Sequence, residues 1–269
     1  MTNVLLERLR QGNRTSRFPR KAPDFPPSYR GRPLLFPSRC TSGCRGCEEV
    51  CPTRAVHAEP LRLDLGACLF CGRCEEACPA EAIVFSPDHR LSVSKREDLM
   101  LSAEKEFSLA GALDAKMKSL LGRSLKLRQV SAGGCNACEV EVAVLGIVVY
   151  DLGRFGIQYV ASPRHADGIL ITGPVTKNMV HALRETYAAV PPPKLVIAVG
   201  ACALSGGLFA NTGETLAGVP DDIRVDLFIP GCPPHPFTLL DGYLRLLGKI
   251  DQKMDKRFRD AVSSSPASR

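Results

Sequence analysis

Short apolar runs alternate with amphipathic stretches through the second half of the chain. Apolar residues recur at helical spacing over residues 138–149, 176–189 and 236–248, and each stretch is long enough for an amphipathic helix. Strands that alternate with helices predict a mainly parallel sheet covered by helices, and so an α/β domain over residues 124–250. The strand-like runs are SLKLRQV from residue 124, IQYVAS from 157, GILITG from 168, LVIAVG from 195 and DLFIPG from 226.

A single amphipathic stretch precedes this domain. Its apolar residues share one face of a helix that we predict over residues 99–121, with Gly122 as its stop. They are Leu109, Leu113, Met117, Leu120 and Leu121. We therefore predict a helical linker over residues 91–123.

The overall composition is that of an ordinary globular protein. The 269 residues are 45% hydrophobic and 23% charged, and this length predicts two domains. The longest uncharged apolar run, residues 142–150, is less than half of the ~20 residues that span a bilayer. Because the N-terminus has no apolar signal-peptide core, we expect a cytoplasmic protein, where thiols bind metals more often than they form disulfides.

Positive charge is concentrated at the N-terminus. Residues 1–39 hold nine Lys or Arg against two Asp or Glu, which accounts for the whole net charge of +7. Six prolines and the lack of periodicity predict a basic extended arm. A nucleic-acid or membrane-surface role is one interpretation, but the arm lacks the aromatic platform of single-strand binders, so we favour contact with a partner protein and predict no nucleic acid. For the C-terminal segment, residues 251–269, which ends SSSPASR, we predict a disordered tail.

Eight of the twelve cysteines lie between residues 40 and 78, in two copies of a repeat. CRGCEEVCPTRAV from Cys44 recurs as CGRCEEACPAEAI from Cys71. The second copy, with the leading Cys68, has the spacing with which a loop holds one [4Fe–4S] cluster by three cysteines while the fourth, followed by proline, reaches another cluster. The repeat therefore predicts a two-cluster ferredoxin-like domain over residues 40–90.

The duplication predicts two crossed ligand sets. One cluster takes Cys40, Cys44, Cys47 and Cys78, and the other takes Cys51, Cys68, Cys71 and Cys74. The Cys40 loop is one residue longer than its counterpart, which leaves a three-iron cluster or an altered potential open there. Two structural zinc sites are the alternative, although zinc ribbons do not usually combine four cysteines per half with a Cys-Pro.

The repeat resembles bacterial two-cluster ferredoxins. YRGRP at residues 29–33 resembles the ferredoxin-like subunits of formate hydrogenlyase and of respiratory complex I, so the resemblance covers about residues 20–90. It implies a small α+β fold for this front module.

The four remaining cysteines all follow predicted strands. Cys135 and Cys138 come after the first strand, Cys202 after LVIAVG and Cys232 after DLFIPG. Because ligand sites in open parallel sheets collect at the carboxyl ends of strands, we expect these cysteines to meet at one edge and hold a third [4Fe–4S] cluster. Buried free cysteines are the alternative. Glycines suited to a sharply turning backbone lie beside them, at Gly133, Gly134, Gly200 and Gly231.

Longer blocks around these cysteines resemble one family. They are GGCNACEVE from residue 133, RFGIQYVASPRHADGILITGPVTKNM from 154, GACALSGGLF from 200 and IPGCPPHP from 229. They resemble the small, proximal-cluster subunit of energy-converting (group 4) nickel–iron hydrogenases such as formate hydrogenlyase, and the related 20 kDa subunit of complex I. The resemblance covers about residues 124–247 and implies a flavodoxin-like domain. The complex I subunit has its first two cluster cysteines adjacent, whereas two residues separate Cys135 from Cys138, which favours the hydrogenase type.

The resemblance implies an oxidoreductase subunit that carries three [4Fe–4S] clusters and relays electrons, with no complete active site of its own. The implied partners are a hydrogenase-like large subunit, other subunits of a membrane-bound complex, and a donor such as ferredoxin or a formate dehydrogenase-like protein. The implied location is peripheral, on the inner face of the cell membrane. One alternative is a relay subunit of a nickel-free, ferredoxin- or quinone-linked complex, and a remote alternative is a zinc-stabilised binding module.

Two acidic residues follow the third cysteine set. Glu139 and Glu141 lie at the start of a predicted helix, where the helix dipole favours negative charge. The sharper interpretation is a proton relay at a subunit interface. No phosphate-binding loop or dinucleotide motif is present in the sequence, so it predicts no nucleotide site.

Overall fold

The computed structural model describes residues 3–12, 14–122, 124–250, 254–256 and 259–260. Its helices are Val4–Gln11 (α1), Gly46–Glu49 (α2), Arg73–Glu76 (α3), Ala115–Leu121 (α4), Ala137–Val144 (α5), Lys177–Ala189 (α6), Gly200–Ser205 (α7) and Pro236–Leu246 (α8). Its strands are Pro33–Leu35 (β1), Val56–His57 (β2), Arg62–Asp64 (β3), Ile83–Phe85 (β4), Met100–Ser102 (β5), Leu125–Ser131 (β6), Ile157–Tyr159 (β7), Gly168–Thr172 (β8), Leu195–Val199 (β9) and Leu227–Ile229 (β10). Most of the predicted tail, including SSSPASR, lies outside the described residues. Within them, no helix is both long and apolar enough to cross a bilayer.

Five parallel strands form the sheet of the rear domain, in the order β10–β9–β8–β6–β7. Counted along the chain within this domain and read from the β7 edge, the order is 2-1-3-4-5, that of flavodoxin-like folds. The predicted α/β class is confirmed, and each strand-like run overlaps one of these strands. The order reverses between β6 and β8, so the carboxyl ends of these two strands form the crevice where such folds place ligands.

Apolar layers on both faces explain why this segment forms a sheet. β8 and β9 are buried at every residue, as expected for central parallel strands. α5 and α8 cover one face, and α6 covers the other. In α8 every residue except Phe237 is buried, so this helix is the centre of the larger core.

Two small antiparallel sheets build the front module. β1 pairs with β4, and β3 pairs with both β2 and β5. YRGRP leads into β1: the amide of Gly31 donates to the carbonyl of Ser86 at 2.7 Å, and that of Arg32 donates to Asp88 at 2.8 Å. A side chain at Gly31 would collide with the Asp88 carbonyl. Residues 1–39, predicted as an arm, thus include α1 and β1.

The prediction of a helix over residues 99–121 is wrong for the first two thirds of that range. Residues 100–102 form β5, and α4 begins only at Ala115, where the Asp114 side chain accepts a bond from the Met117 amide at 2.9 Å. Neighbouring segments satisfy the backbone between them, since the amides of Ala110 and Leu113 donate to carbonyls of Ser92 and Leu246. Tertiary pairing therefore overrides the helical spacing of the apolar residues.

A buried ion network connects the front module to α8. Asp88 accepts two bonds from the Arg90 guanidinium, at 2.7 and 2.8 Å, and one from Arg32 at 2.9 Å. Arg90 and Arg245 of α8 both contact Asp255, at 3.4 and 2.5 Å. The Asp88 side chain is fully buried. Although burial opposes ionisation, Arg90 holds the pKa of Asp88 below its usual value.

Backbone pairing extends this junction. Val93 and Phe228 exchange two backbone hydrogen bonds, at 3.0 and 2.9 Å, so the chain leaving the front module pairs with β10. Gly242 of α8 faces Ser92 with no room for a side chain. The two modules are therefore packed against each other and are not joined by a linker alone.

Aromatic residues of the N-terminal segment fill the same junction. The Phe25 ring lies 5.4 Å from His89 and 5.1 Å from His235, and Phe18 lies 5.7 Å from His89 and 5.3 Å from Phe237. Burial lowers the pKa of His89 to about 3 and that of His235 to about 4. Both rings therefore remain neutral at physiological pH.

We expect Asp88→Asn to lower the free energy of unfolding by roughly 3 kcal/mol, because it removes the buried charge that pairs with Arg32 and Arg90 and leaves Arg90 only its 3.4 Å contact with Asp255. Anaerobic denaturant unfolding followed by circular dichroism measures the change. The control is Asp222→Asn, which breaks an exposed pair with Arg184 and is expected to cost less than about 1 kcal/mol. Equal losses in the two variants would contradict the prediction.

Stability is expected to fall as the pH drops from 7 to 5, by roughly 2 kcal/mol from His89 alone. The unfolded chain binds a proton near pH 6.5, whereas the folded His89 has a pKa of about 3. Unfolding therefore takes up a proton in this range. His89→Phe should remove this part of the pH dependence and retain the part due to His235. His181→Phe, at an exposed histidine of α6, should retain all of it; a full pH dependence in His89→Phe would count against the argument.

Candidate metal centres

Four cysteines of the front module line one small cavity, and they are called set A. They are Cys40, Cys44, Cys47 and Cys78. Three come from the first copy of the repeat and one from the second, as the crossed pattern predicts. Leu61 and Ile83 of the front-module core also line this cavity, so its inner wall is apolar.

A second cavity is lined by the other four cysteines of the repeat, called set B. They are Cys51, Cys68, Cys71 and Cys74. Cys68 and Cys74 are buried, whereas Cys40 and Cys44 of set A are exposed. Set B is therefore the more enclosed of the two.

Backbone amides donate to the sulfurs at equivalent places in the two copies. The Ala55 amide lies 3.2 Å from Cys51 Sγ, and the Ala82 amide lies 3.3 Å from Cys78 Sγ. In each copy the donor is four residues after the fourth cysteine. Such donors stabilise negative charge on sulfur. The loops thus orient both cysteines that cross to the other set.

Burial raises the pKa of the enclosed thiols of set B. The pKa of Cys74 rises to about 12, with further contributions from Cys51 and Cys71, and that of Cys68 rises higher. Thiolate ligands must lose their protons when they bind a metal. A positively charged iron centre offsets both the burial and the mutual repulsion, so this donor set fits an iron–sulfur cluster.

The four scattered cysteines meet at the carboxyl edge of the parallel sheet, and they are called set C. Cys135 and Cys138 lie before and within α5, Cys202 lies in α7, and Cys232 follows β10. Burial raises the pKa of Cys202 to about 11, with added repulsion from Cys232 and Cys135. The pKa of Cys138 is also raised, first by burial and then by Glu139 and the other three cysteines. Residues almost a hundred positions apart are therefore mutual neighbours.

Glycine gives the backbone room beside set C. Gly200 has a φ of +86°, and a Cβ there would lie 2.5 Å from Cys138 Sγ. Gly133 has a φ of +88° and lies against Thr176. Two of the predicted glycines thus combine a left-handed backbone with a contact that leaves no space for a side chain.

Sets B and C face each other across the module junction. Cys71 of set B contributes to the raised pKa of Cys232, after burial and Cys135. The Ser205 hydroxyl of α7 donates to the carbonyl of Gly66 at 3.0 Å. These contacts hold the loop before Cys68 against the helix that carries Cys202.

Glu139 connects the two strand ends at the crevice. Its Oε1 accepts hydrogen bonds from the hydroxyls of Ser131 and Thr172, each at 2.7 Å. Ser131 ends β6 and Thr172 ends β8. Burial raises the pKa of Glu141, which lies on the same helix. The structure therefore gives Glu139 a positioning role, and the predicted proton relay through Glu139 and Glu141 stays a prediction.

Arg30 is a functional candidate that spacing arguments missed. Its guanidinium occupies the space beside Gly72, a residue of the loop that joins Cys71 to Cys74. The same guanidinium pairs with Glu76 at 3.3 Å. The available signal was YRGRP, which the sequence offered only as a resemblance. Arg30 thus brings positive charge to the rim of set B.

All twelve cysteines are free thiols, and they form three sets of four. In the described part of the chain, no three Cys, His, Asp or Glu side chains are placed to hold a single metal ion. The candidate sites are therefore cavities surrounded by thiols and not preformed single-ion sites.

Two family models match the chain. Residues 135–246 match NADH ubiquinone oxidoreductase, 20 Kd subunit, and residues 61–84 match a 4Fe–4S binding domain. The first match spans set C, and the second spans three cysteines of set B and one of set A. The ferredoxin-like nature of the front module is thereby confirmed.

Three relatives come from oxidoreductase complexes. A probable membrane-bound hydrogenase subunit of Pyrococcus furiosus is 41% identical over 51% of this chain and 81% of its own length. Formate hydrogenlyase subunit 7 of Escherichia coli is 38% identical over 58% of this chain and 61% of its own length. An NADH-quinone oxidoreductase subunit of Citrifermentans bemidjiense is 47% identical over 44% of this chain and 68% of its own length. Each similarity covers about half of the present chain.

We expect Glu139→Ala to lower the free energy of unfolding by roughly 1–3 kcal/mol, because the Thr172 and Ser131 hydroxyls lose a charged acceptor. Denaturant unfolding of the anaerobically prepared chain measures this change. Glu141→Ala on the same helix is the control, since it leaves both hydroxyl bonds in place. A larger loss in the control than in Glu139→Ala would refute the positioning role.

Proposed function

The chain belongs to the family of the 20 kDa subunit of NADH ubiquinone oxidoreductase, and from this we propose that it is an electron-relay subunit holding three [4Fe–4S] clusters in series. The observation that carries the proposal is the division of twelve cysteines into three sets of four, two in the front module and one at the sheet edge. Bound [4Fe–4S] clusters supply one-electron transfer at potentials set by their ligands, hydrogen bonds and exposure.

Each set supplies the ligands of one cluster in this proposal. Set A is Cys40, Cys44, Cys47 and Cys78; set B is Cys51, Cys68, Cys71 and Cys74; set C is Cys135, Cys138, Cys202 and Cys232. The protein's own contribution is to orient these sulfurs by backbone donors, to exclude water from the inner walls, and to fix the distance between sets.

Contacts between the sets support the order A, B, C. Cys47 lies in α2 and Cys51 two residues after its end, and Cys74 and Cys78 have the same places at α3, so each of these helices connects set A with set B. Cys71 and Cys232 bring set B next to set C. In this order the exposed Cys40 and Cys44 mark the end that receives or delivers electrons outside the chain.

The other end of the series points to a catalytic partner. Cys135 and Cys232 of set C are exposed in the isolated chain, as are Leu208 and Phe209 after α7. Apolar side chains around exposed ligands support contact with another subunit. We assign this face to a hydrogenase-like large subunit within a membrane-bound complex, held peripherally on the inner face of the membrane, with ferredoxin or a formate dehydrogenase-like protein as donor.

The spacing of Cys135 and Cys138 favours the hydrogenase type over the quinone type. Relatives of both types match the chain, at 41% and 47% identity. A nickel-free complex linked to ferredoxin or quinone is the second candidate. Nickel analysis of the complex purified with its native large subunit separates the two, since about one nickel per complex supports the first candidate.

The relay is tested on the anaerobically purified full chain. We expect about 12 iron and about 12 sulfide per chain, and electron paramagnetic resonance signals from three interacting reduced centres. About 11 iron would indicate a three-iron cluster at the longer Cys40 loop. Zinc in place of iron would reject the relay and favour the zinc-stabilised binding module.

We expect Gly200→Ala to lower the iron content by about four atoms per chain, because the new Cβ collides with Cys138 Sγ and the backbone at φ +86° disfavours a side chain. Iron analysis and the resonance spectrum measure the loss from set C. Gly153→Ala is the matched control, since a Cβ at Gly153 meets nothing within 4 Å. Full iron content in Gly200→Ala would contradict the assignment of set C.

A further inference from the structure

The N-terminal helix α1 exposes an apolar face to solvent. Leu5, Leu6 and Leu9 are 74%, 52% and 79% exposed, and at 100° per residue they fall within about 100° of the helix circumference. Glu7, Arg8 and Arg10 share the same helix, and none of its residues is buried. Burying such a face requires a surface outside the described chain.

A basic cavity follows α1 directly. It has a volume of about 710 Å³, and its charged lining is wholly positive, contributed by Arg17, Arg20, Lys21 and Arg154. The Arg154 guanidinium donates to the carbonyls of Ser16 and Phe18, at 2.8 and 2.9 Å, and so fixes the cavity wall.

Other groups in and beside the cavity determine its character. Lys21 pairs with Asp24 at 3.3 Å, but both side chains are largely exposed, so this pair does little to neutralise the cavity. The Thr15 and Ser16 hydroxyls add hydrogen-bonding groups to the lining. Cations and hydroxyls that line one open cavity suit a phosphate group.

Exposed apolar residues also lie in a loop bonded to the cavity wall. The Ser16 amide donates to the carbonyl of Val149 at 2.8 Å, which ties the cavity wall to the loop after α5. In that loop Ile147 and Val148 are 49% and 62% exposed. Cationic and apolar groups therefore lie side by side here, and the leucine face of α1 precedes the cavity residues in the chain.

We propose that α1, the basic cavity and residues 147–149 form a binding surface for an anionic phospholipid bilayer. The leucine face of α1 enters the boundary between headgroups and acyl chains, and the cavity cations contact lipid phosphates. This is a direct lipid contact by the chain itself, in addition to any attachment through partner subunits.

The packing of the arm's aromatic residues argues against nucleic acid as the occupant. Phe18 is 3% exposed, and it packs against His89 and Phe237. Phe25 stacks on Tyr29 at 4.1 Å, in the same cluster. These rings are therefore not available to stack on bases. What the surface offers outward is leucine, valine and positive charge, which matches lipid.

The test uses the full chain, prepared anaerobically with its native iron content, and vesicles that either contain about one third phosphatidylglycerol or are pure phosphatidylcholine. We expect cosedimentation with the anionic vesicles, weakened by salt, and at least about tenfold less with the neutral ones. Equal binding to both vesicle types, or binding to neither, would overturn the proposal.

Variants locate the surface. Leu5→Glu/Leu9→Glu and Arg17→Glu/Lys21→Glu should each reduce binding to anionic vesicles at least about tenfold, whereas Arg17→Lys/Lys21→Arg should retain it. The control is Lys116→Glu/Leu120→Glu on α4, where both residues are exposed; it changes the net charge by −3, between the −2 and −4 of the first two variants. Binding that is unchanged in the first two variants, or lost equally in the control, would overturn the proposal.

Iron content separates this inference from the proposed function. It is measured on every variant, and unchanged iron with lost vesicle binding supports the lipid surface. If the unsubstituted chain binds no vesicles and Leu5→Glu/Leu9→Glu is no longer retained by the native large subunit, α1 docks on protein and the lipid surface is rejected. A failure of the three-cluster assignment would leave the vesicle result intact, because none of the residues tested here belongs to sets A, B or C.

Discussion

Gathering thiolates in fours is the constraint on which this structure depends. Four thiolates around one cavity repel one another, and burial penalises each negative charge further. The raised pKa values of Cys74 and Cys202, to about 12 and about 11, record both effects. The fold compensates through backbone amides aimed at sulfur and through glycines that let the chain approach closely. The negative charge that these groups leave uncompensated is what a positively charged iron centre offsets.

The second constraint is the separation between sets, and the module junction fixes it. A flexible linker would only raise the local concentration of the front module near the sheet edge, and the distance between the cysteine sets would remain variable. Here Val93 pairs with Phe228, and Arg90 shares Asp255 with Arg245 of α8. Buried ion networks are weak evidence for stability but depend strictly on geometry, because removing one partner leaves a charge uncompensated. The network, together with the backbone pairing of Val93 and Phe228, therefore packs the module that carries Cys71 against the domain that carries Cys232.

The sequence was informative wherever a single period or spacing determined the outcome. The five strands after residue 124 follow from short apolar or alternating runs, and the crossed sets A and B correspond to the spacing of a two-cluster loop. It was uninformative where distant groups decide the structure. Residues 100–102 lie in a stretch predicted as a helix but pair with β3, and no local pattern links Asp88 to Asp255. The hydroxyls that anchor Glu139 come from two strand ends 41 residues apart in the chain, so its role emerged only with the sheet.

The N-terminal segment shows how one stretch of chain serves two purposes. Its net charge suggested an arm that leaves the body of the protein, yet Phe18 and Tyr29 are anchored inside it by rings from both modules. Because the aromatic residues face inward, cations beside them in the chain, such as Arg17 and Lys21, remain exposed. The segment therefore reinforces the junction that holds sets B and C together and presents positive charge on the opposite side. Any surface that binds this charge would therefore contact a segment that also packs into the junction between the two modules.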